Sequence, residues 1–224
     1  MNRDDERIIR GMVRQRERRP EGATRVGWKS AFGTRGGMEF LGIDQPLAGH
    51  LTEVTRLESG STVDASGWDV PLIEAEVAVR IDSDLDPSAG PEEAGAAVGA
   101  VAPAIELIDL GSTDDVAEVI AGNIFHRHFL LGEFVTCDGI GLDGVRLAVT
   151  ANGSASEPSD PRQVVGDLRV VVAAIADQAE LAGDRVRAGD VIITGAAVPP
   201  APFGSGDRFE VELTGGGRVS VRAA

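Results

Sequence analysis

Two apolar runs, Pro71-Leu-Ile-Glu-Ala-Glu-Val-Ala-Val-Arg-Ile81 and Val101-Ala-Pro-Ala-Ile-Glu-Leu-Ile-Asp-Leu110, constrain this chain more than any other feature. Both have the branched apolar composition of strands, yet acids interrupt them at Glu74, Glu76 and Glu106. Side chains alternate along a strand, so Glu74 and Glu76 point to one face, about 7 Å apart. Burying a carboxylate is costly unless something neutralises it. Three converging carboxylates repel one another, and a hard divalent cation is the natural remedy. The alternative is ordinary: Glu-x-Glu on the wet face of a half-buried strand.

A lysine shifts the balance. Of 21 basic residues, Lys29 is the one lysine and the rest are arginine. A coding bias explains the arginines; a retained lysine suits a place where a compact, titratable ammonium cannot be exchanged for a planar guanidinium. Lys29 sits in the strand-like Val26-Gly-Trp-Lys29.

These segments, with Leu41-Gly-Ile-Asp-Gln-Pro46, Gly49, Leu51, Pro103-Ala-Ile-Glu106, Asn123, Leu131-Gly132, Asn152-Gly153, Ala188-Gly-Asp-Val-Ile-Ile-Thr-Gly195 and Gly206-Asp207, carry a resemblance. In order and spacing the chain resembles the fumarylacetoacetate hydrolase superfamily, in its branch of 2-keto-4-pentenoate hydratases and 4-oxalocrotonate decarboxylases. The match covers roughly residues 22–222. It implies an α+β, β-rich fold, a mixed β-sandwich roll with peripheral helices, over residues 22–224 after a helical segment at 1–21. It implies Glu74, Glu76 and Glu106 as metal ligands and Lys29 beside the substrate's keto or enol oxygen. It also implies substrate contacts from Thr194, Gly195 and Asn123. Three positions depart from the family pattern. Leu47 stands where many hydratases carry an acid, Gly122-Asn-Ile-Phe125 replaces Asp-Asn-Ala-Ser, and Asp160-Pro161 replaces His-Pro. The metal-binding half is kept, and the water-activating half is rewritten.

Composition removes other classes. At 224 residues one domain with a sizeable core is expected. A net charge of −15, no Tyr, and only seven Phe and two Trp make nucleic acid an unsuitable partner. The longest apolar run, 170–176, is too short to span a bilayer. Cys137 is the single cysteine, and the first twenty residues are too charged for a signal peptide, so a cytoplasmic protein is expected.

Along the chain, residues 3–19 read as a helix with Ile8, Ile9, Met12 and Val13 as its apolar stripe, docking on its own core or on a neighbouring subunit. A homo-oligomer is expected. The glycine-broken stretch 24–66 predicts short strands and loops. Pro91 opens a helix running towards Ala100, and Ser112-Thr-Asp-Asp caps another near 114–121. Asp160-Pro161 begins a long helix to about Leu181, with Val164, Val165, Leu168, Val171, Val172 and Ile175 buried; Asp160 reads as its N-cap. The tail alternates strands and glycine turns.

Oxygen-only ligands favour Mg2+ or Mn2+. Such an ion would polarise a small-molecule 2-oxo acid and stabilise its enolate. Hydration of an unsaturated or β-functionalised 2-oxo acid is the leading expectation. Decarboxylation, tautomerisation, carbon–carbon hydrolysis, a diverged enzyme of secondary metabolism and a non-catalytic binding role are alternatives. The losses at Leu47 and Phe125 point to a substrate bulkier or less polar than a small dienoate. His50 and His126 are candidates for the missing acid and base, with His128 beside His126 on one strand face.

Overall fold

The computed structural model describes residues 4–137 and 144–224. Helix α1 (Glu6–Arg18) is followed by strand β1 (Arg25–Ala31), helix α2 (Arg35–Leu41) and strands β2 (Leu47–Thr52), β3 (Arg56–Leu57) and β4 (Ser61–Val63). The two long strands β5 (Pro71–Ile81) and β6 (Val98–Asp109) are joined through α3 (Pro91–Ala96). Next come α4 (Val116–Ala121), β7 (His126–Leu131), β8 (Val135–Thr136), β9 (Leu147–Ala151) and β10 (Ser154–Ala155). Helices α5 (Arg162–Val165) and α6 (Leu168–Leu181) precede β11 (Val191–Ala196), β12 (Ala201–Pro202), β13 (Arg208–Leu213) and β14 (Arg218–Ala223).

Among the described residues the larger sheet runs β2-β1-β11-β5-β6-β7-β3, with β12 beside β5 and β8 beside β6. The smaller runs β10-β9-β13-β14-β4. The pairs β1–β11, β3–β7 and β4–β14 are parallel, and the other pairs are antiparallel. This is the expected α+β, β-rich architecture. No helix among the described residues is long and apolar enough to cross a membrane.

Strand β5 is buried on both faces, which is why it reads as a nearly continuous apolar run. Ile73, Val77, Val79 and Ile81 enter the main core, while Glu74, Glu76 and Ala78 face the other way. Each fully buried aliphatic side chain contributes about 1.5–3 kcal/mol, and that core holds the frame on which the acids sit. Helix α6 packs over β1, β2 and β11. Strands β13 and β14 alternate cleanly, sending Phe209, Val211, Leu213, Val219 and Val221 inward.

Several expectations need correction. The helix from Asp160 to Leu181 is two: Gly166, with φ of 78°, breaks it, and Asp167 caps α6 by accepting from the Arg169 amide. Val164 is consequently exposed. Asp160 accepts from the Arg162 amide and pairs with its guanidinium, a local structural role. Helix α3 stops at Ala96 and β6 begins at Val98, earlier than its apolar run suggested. The cap of α4 does come from Ser112-Thr-Asp-Asp, through its last residue, Asp115, which accepts from the Ala117 and Glu118 amides. Helix α2 forms within the glycine-rich stretch because Thr34 caps it, accepting from Gly37. Helix α1 docks on its own chain: Ile8, Gly11, Met12 and Gln15 are buried, and Val13 is exposed. Gly11 lets it approach α4, since a Cβ there would lie 2.7 Å from Ile120 Cβ.

Candidate metal centre

The antiparallel register of β5 and β6 sets Glu74 directly opposite Glu106, with Glu76 opposite Ala104. Side chains two apart share a face, so all three acids converge. One oxygen of each lies within 4.8 Å of the others. Glu76 and Glu106 are fully buried, while Glu74 lines a cavity of about 270 Å³. Lys29 reaches the cluster from β1, where it pairs with Ile193 on β11 and Gly49 on β2. Its side chain is 1% exposed; Nζ donates to Glu106 Oε1 and, at 3.1 Å, to the Ile124 carbonyl. Gly49 makes room: a Cβ there would lie 2.7 Å from Lys29 Cγ.

Burial raises the Glu74 carboxyl to about 7, helped by the charge of Glu106. Burial, then Glu106 and Glu74, holds Glu76 well above the usual range. For Glu106 burial also acts upward, but Lys29 and His126 outweigh it and leave it below the ordinary value. Two oxygens, Glu76 Oε1 and Glu106 Oε2, are buried without a hydrogen-bond partner. Buried acceptors with no donor are rare. An all-carboxylate set with unsatisfied oxygens fits a hard dication.

The structure sorts the other candidates. Gly195, at φ of 99°, donates its amide to Glu76 Oε2 at 2.6 Å, and the Thr194 hydroxyl donates to the Val77 carbonyl. Both line the cavity, yet these groups serve the frame and Glu76. Asn123 is not in that cavity; its amide bridges the His50 backbone, accepting from N at 2.8 Å and donating to O at 3.0 Å. It sits at the left-handed position after α4, where Ile124 N bonds Val119 O and Asn123 N bonds Ile120 O. That is a Schellman closure, for which Asn is suited.

His50 does not reach the carboxylates. It pairs with Trp28, one residue out of phase with Lys29, and lies in a second recess with Gln15 and Thr52. Burial lowers its imidazole to about 4. His126 does reach them: Nδ1 lies 2.6 Å from Glu106 Oε1 and Nε2 lies 3.0 Å from Thr55 Oγ1. Burial lowers its pKa. His128 does not join it. A register shift between Leu107–His128 and Ile108–His126 breaks the alternation, and His128 stacks on Trp68 instead. Leu47 is fully buried against the core and lines neither recess.

Sequence reasoning missed Thr55 and the Ile124 carbonyl, which no pattern announces. It also missed the cavity wall residues Leu72, Ile108 and Leu110. The two-residue period that aligned the acids predicts those three as well.

The raised carboxyls yield a pH prediction. Between the ordinary value and about 7, folded Glu74 holds a proton that the unfolded chain releases. This contribution to metal-free stability is full below the unfolded pKa and fades as pH rises through about 7. A cation binds the ionised form, so its stabilising effect grows with pH. The rise in Tm on adding magnesium should be larger at about pH 8 than at about pH 6, with apparent affinity falling about tenfold per unit below 7 from Glu74 alone. Thermal scans at the two values check this.

Comparison with known proteins agrees with this geometry. Residues 37–223 match the family described as fumarylacetoacetate (FAA) hydrolase, C-terminal. The chain is 30% identical over 203 residues to a 4-oxalocrotonate decarboxylase from a Pseudomonas species, covering 89% of this chain and 78% of that enzyme. It is 29% identical over 219 residues to 2-hydroxyhexa-2,4-dienoate hydratase from Comamonas testosteroni, covering 94% and 82%. Among solved structures, the 4-oxalocrotonate decarboxylase of Pseudomonas putida G7, complexed with magnesium and adipate, superposes with a TM-score of 0.84 at 27% identity, over 94% of this chain and 82% of that one. The chain belongs to the fumarylacetoacetate hydrolase family.

Proposed function

We propose that this protein is a divalent-metal-dependent lyase that hydrates an unsaturated or β-functionalised 2-oxo acid, with magnesium or manganese held by Glu74, Glu76 and Glu106. The carrying observation is the pair of unsatisfied carboxylate oxygens beside the buried Lys29. The bound ion would supply Lewis-acid polarisation of the substrate's 2-oxo group. Lys29 places a positive charge where negative charge develops, in a cavity lined largely by apolar side chains, where such an interaction gains weight over water. Glu106 is kept ionised by Lys29 and His126, and Gly195 fixes Glu76. His126, held between Glu106 and Thr55, orients the Glu106 carboxylate. Similarity to both a hydratase and a decarboxylase supports chemistry at an activated 2-oxo acid; product analysis separates water addition from loss of carbon dioxide.

The test is proton exchange at C3 of simple 2-oxo acids, followed by NMR in deuterated buffer with and without magnesium. Exchange should require magnesium and fall by at least about 10²-fold in Glu106→Ala. Exchange indifferent to both would overturn the reading.

A further inference from the structure

The sheet face that carries the acids does not end at them. Outward along β5 and β6 it continues with Leu72 opposite Ile108, a step of two residues advancing about 7 Å, and then with Leu110 just past the end of β6. Phe125 and Val171 also line the cavity. Phe125 comes close because Gly111 lacks a side chain; a Cβ there would lie 2.7 Å from Phe125 Cε1. Among the described residues, Lys29 is the single cation lining the cavity, and Glu106 already engages it. The uncharged polar side chains of the lining are the hydroxyls of Ser30, Thr34 and Thr194, and hydroxyls do not neutralise a second negative charge.

We infer that the site selects a 2-oxo acid whose far end is an uncharged hydrocarbon tail and rejects one that carries a second, distal carboxylate. The inference rests on the proposed placement of the oxo-acid head at the carboxylate cluster. From there the tail runs along the ladder Leu72, Ile108, Leu110 beneath Phe125. A methyl terminus gains apolar contact on this path. A carboxylate terminus of the same length is stripped of water with no partner, which is costly.

The deciding experiment compares 2-oxohexanoate with 2-oxohexanedioate, identical but for the terminal group. Affinities are measured by calorimetry with the full chain and magnesium, alongside C3 exchange rates. The monoacid should bind at least about 30-fold more tightly. Leu110 is half-buried at the outer end of the ladder, so Leu110→Arg is suited to retain the fold, as circular dichroism would verify. This variant should shift the preference at least about tenfold towards the diacid by supplying the missing cation. Equal or reversed binding in the wild type, or no shift in folded Leu110→Arg, would overturn the inference while leaving the metal site standing. Absence of magnesium-dependent binding of either acid would remove the reading of the site, and this inference with it.

Discussion

Lys29→Met is expected to lower stability by about 3–5 kcal/mol near neutral pH and to reduce C3 exchange by about 10²–10³-fold. The lysine crosses the sheet face in a space opened by Gly49, and its ammonium holds both Glu106 and the Ile124 carbonyl. Without it, three carboxylates face one another, and among the described residues the His126 imidazole is the one basic side chain still in contact with Glu106. Protonation of Glu106 would absorb part of the penalty, so the deficit should shrink as pH falls and widen as it rises. Arginine should not rescue either property, because a planar guanidinium needs more room than the cleft between Gly49 and Ile124 offers. Urea midpoints for the three proteins at two pH values, with exchange rates, test this. Unchanged midpoints for Lys29→Met would contradict it.

Glu76→Gln should act in opposite directions on stability and binding. Its shape is kept, and the amide oxygen can still accept from Gly195. What disappears is a fully buried acid whose ionisation burial and two neighbouring acids oppose. The metal-free variant should therefore be more stable than wild type at about pH 8, by about 1–3 kcal/mol. Magnesium affinity should fall by at least about 10²-fold, beyond the loss typical of a merely supporting contact. Calorimetric titration and thermal scans measure the two effects. A variant that binds magnesium as wild type does would exclude Glu76 from the ligand set.

How much of this was legible in the sequence follows from what fixes each part. The convergence of Glu74, Glu76 and Glu106 was readable because strand alternation and an apolar background leave few places for an acid to go. Lys29 stood out by its rarity. The partners of His50, Asn123 and His126 were not readable. One residue of register decides whether His50 accompanies Lys29 or Trp28, and an irregularity on β7 separates His126 from His128. Such offsets come from packing between distant segments, which local pattern does not encode. The break at Gly166 was equally hidden, since valines lie on both sides and glycine is tolerated in many helices.

Asn123, Ile124 and Phe125 all take left-handed φ values, 55°, 51° and 62°. For a β-branched residue this is an outlier, and each such residue costs about 1–3 kcal/mol. Ile124 lends its carbonyl to the ammonium, while the next residue supplies the aromatic wall. Charge balance and tail selection thus share one short stretch of main chain. Inserting or deleting a residue there would alter both together, whereas exchanging the ring at position 125 alters only the wall. Evolution can therefore retune what this protein admits one side chain at a time, provided the length of the segment never changes.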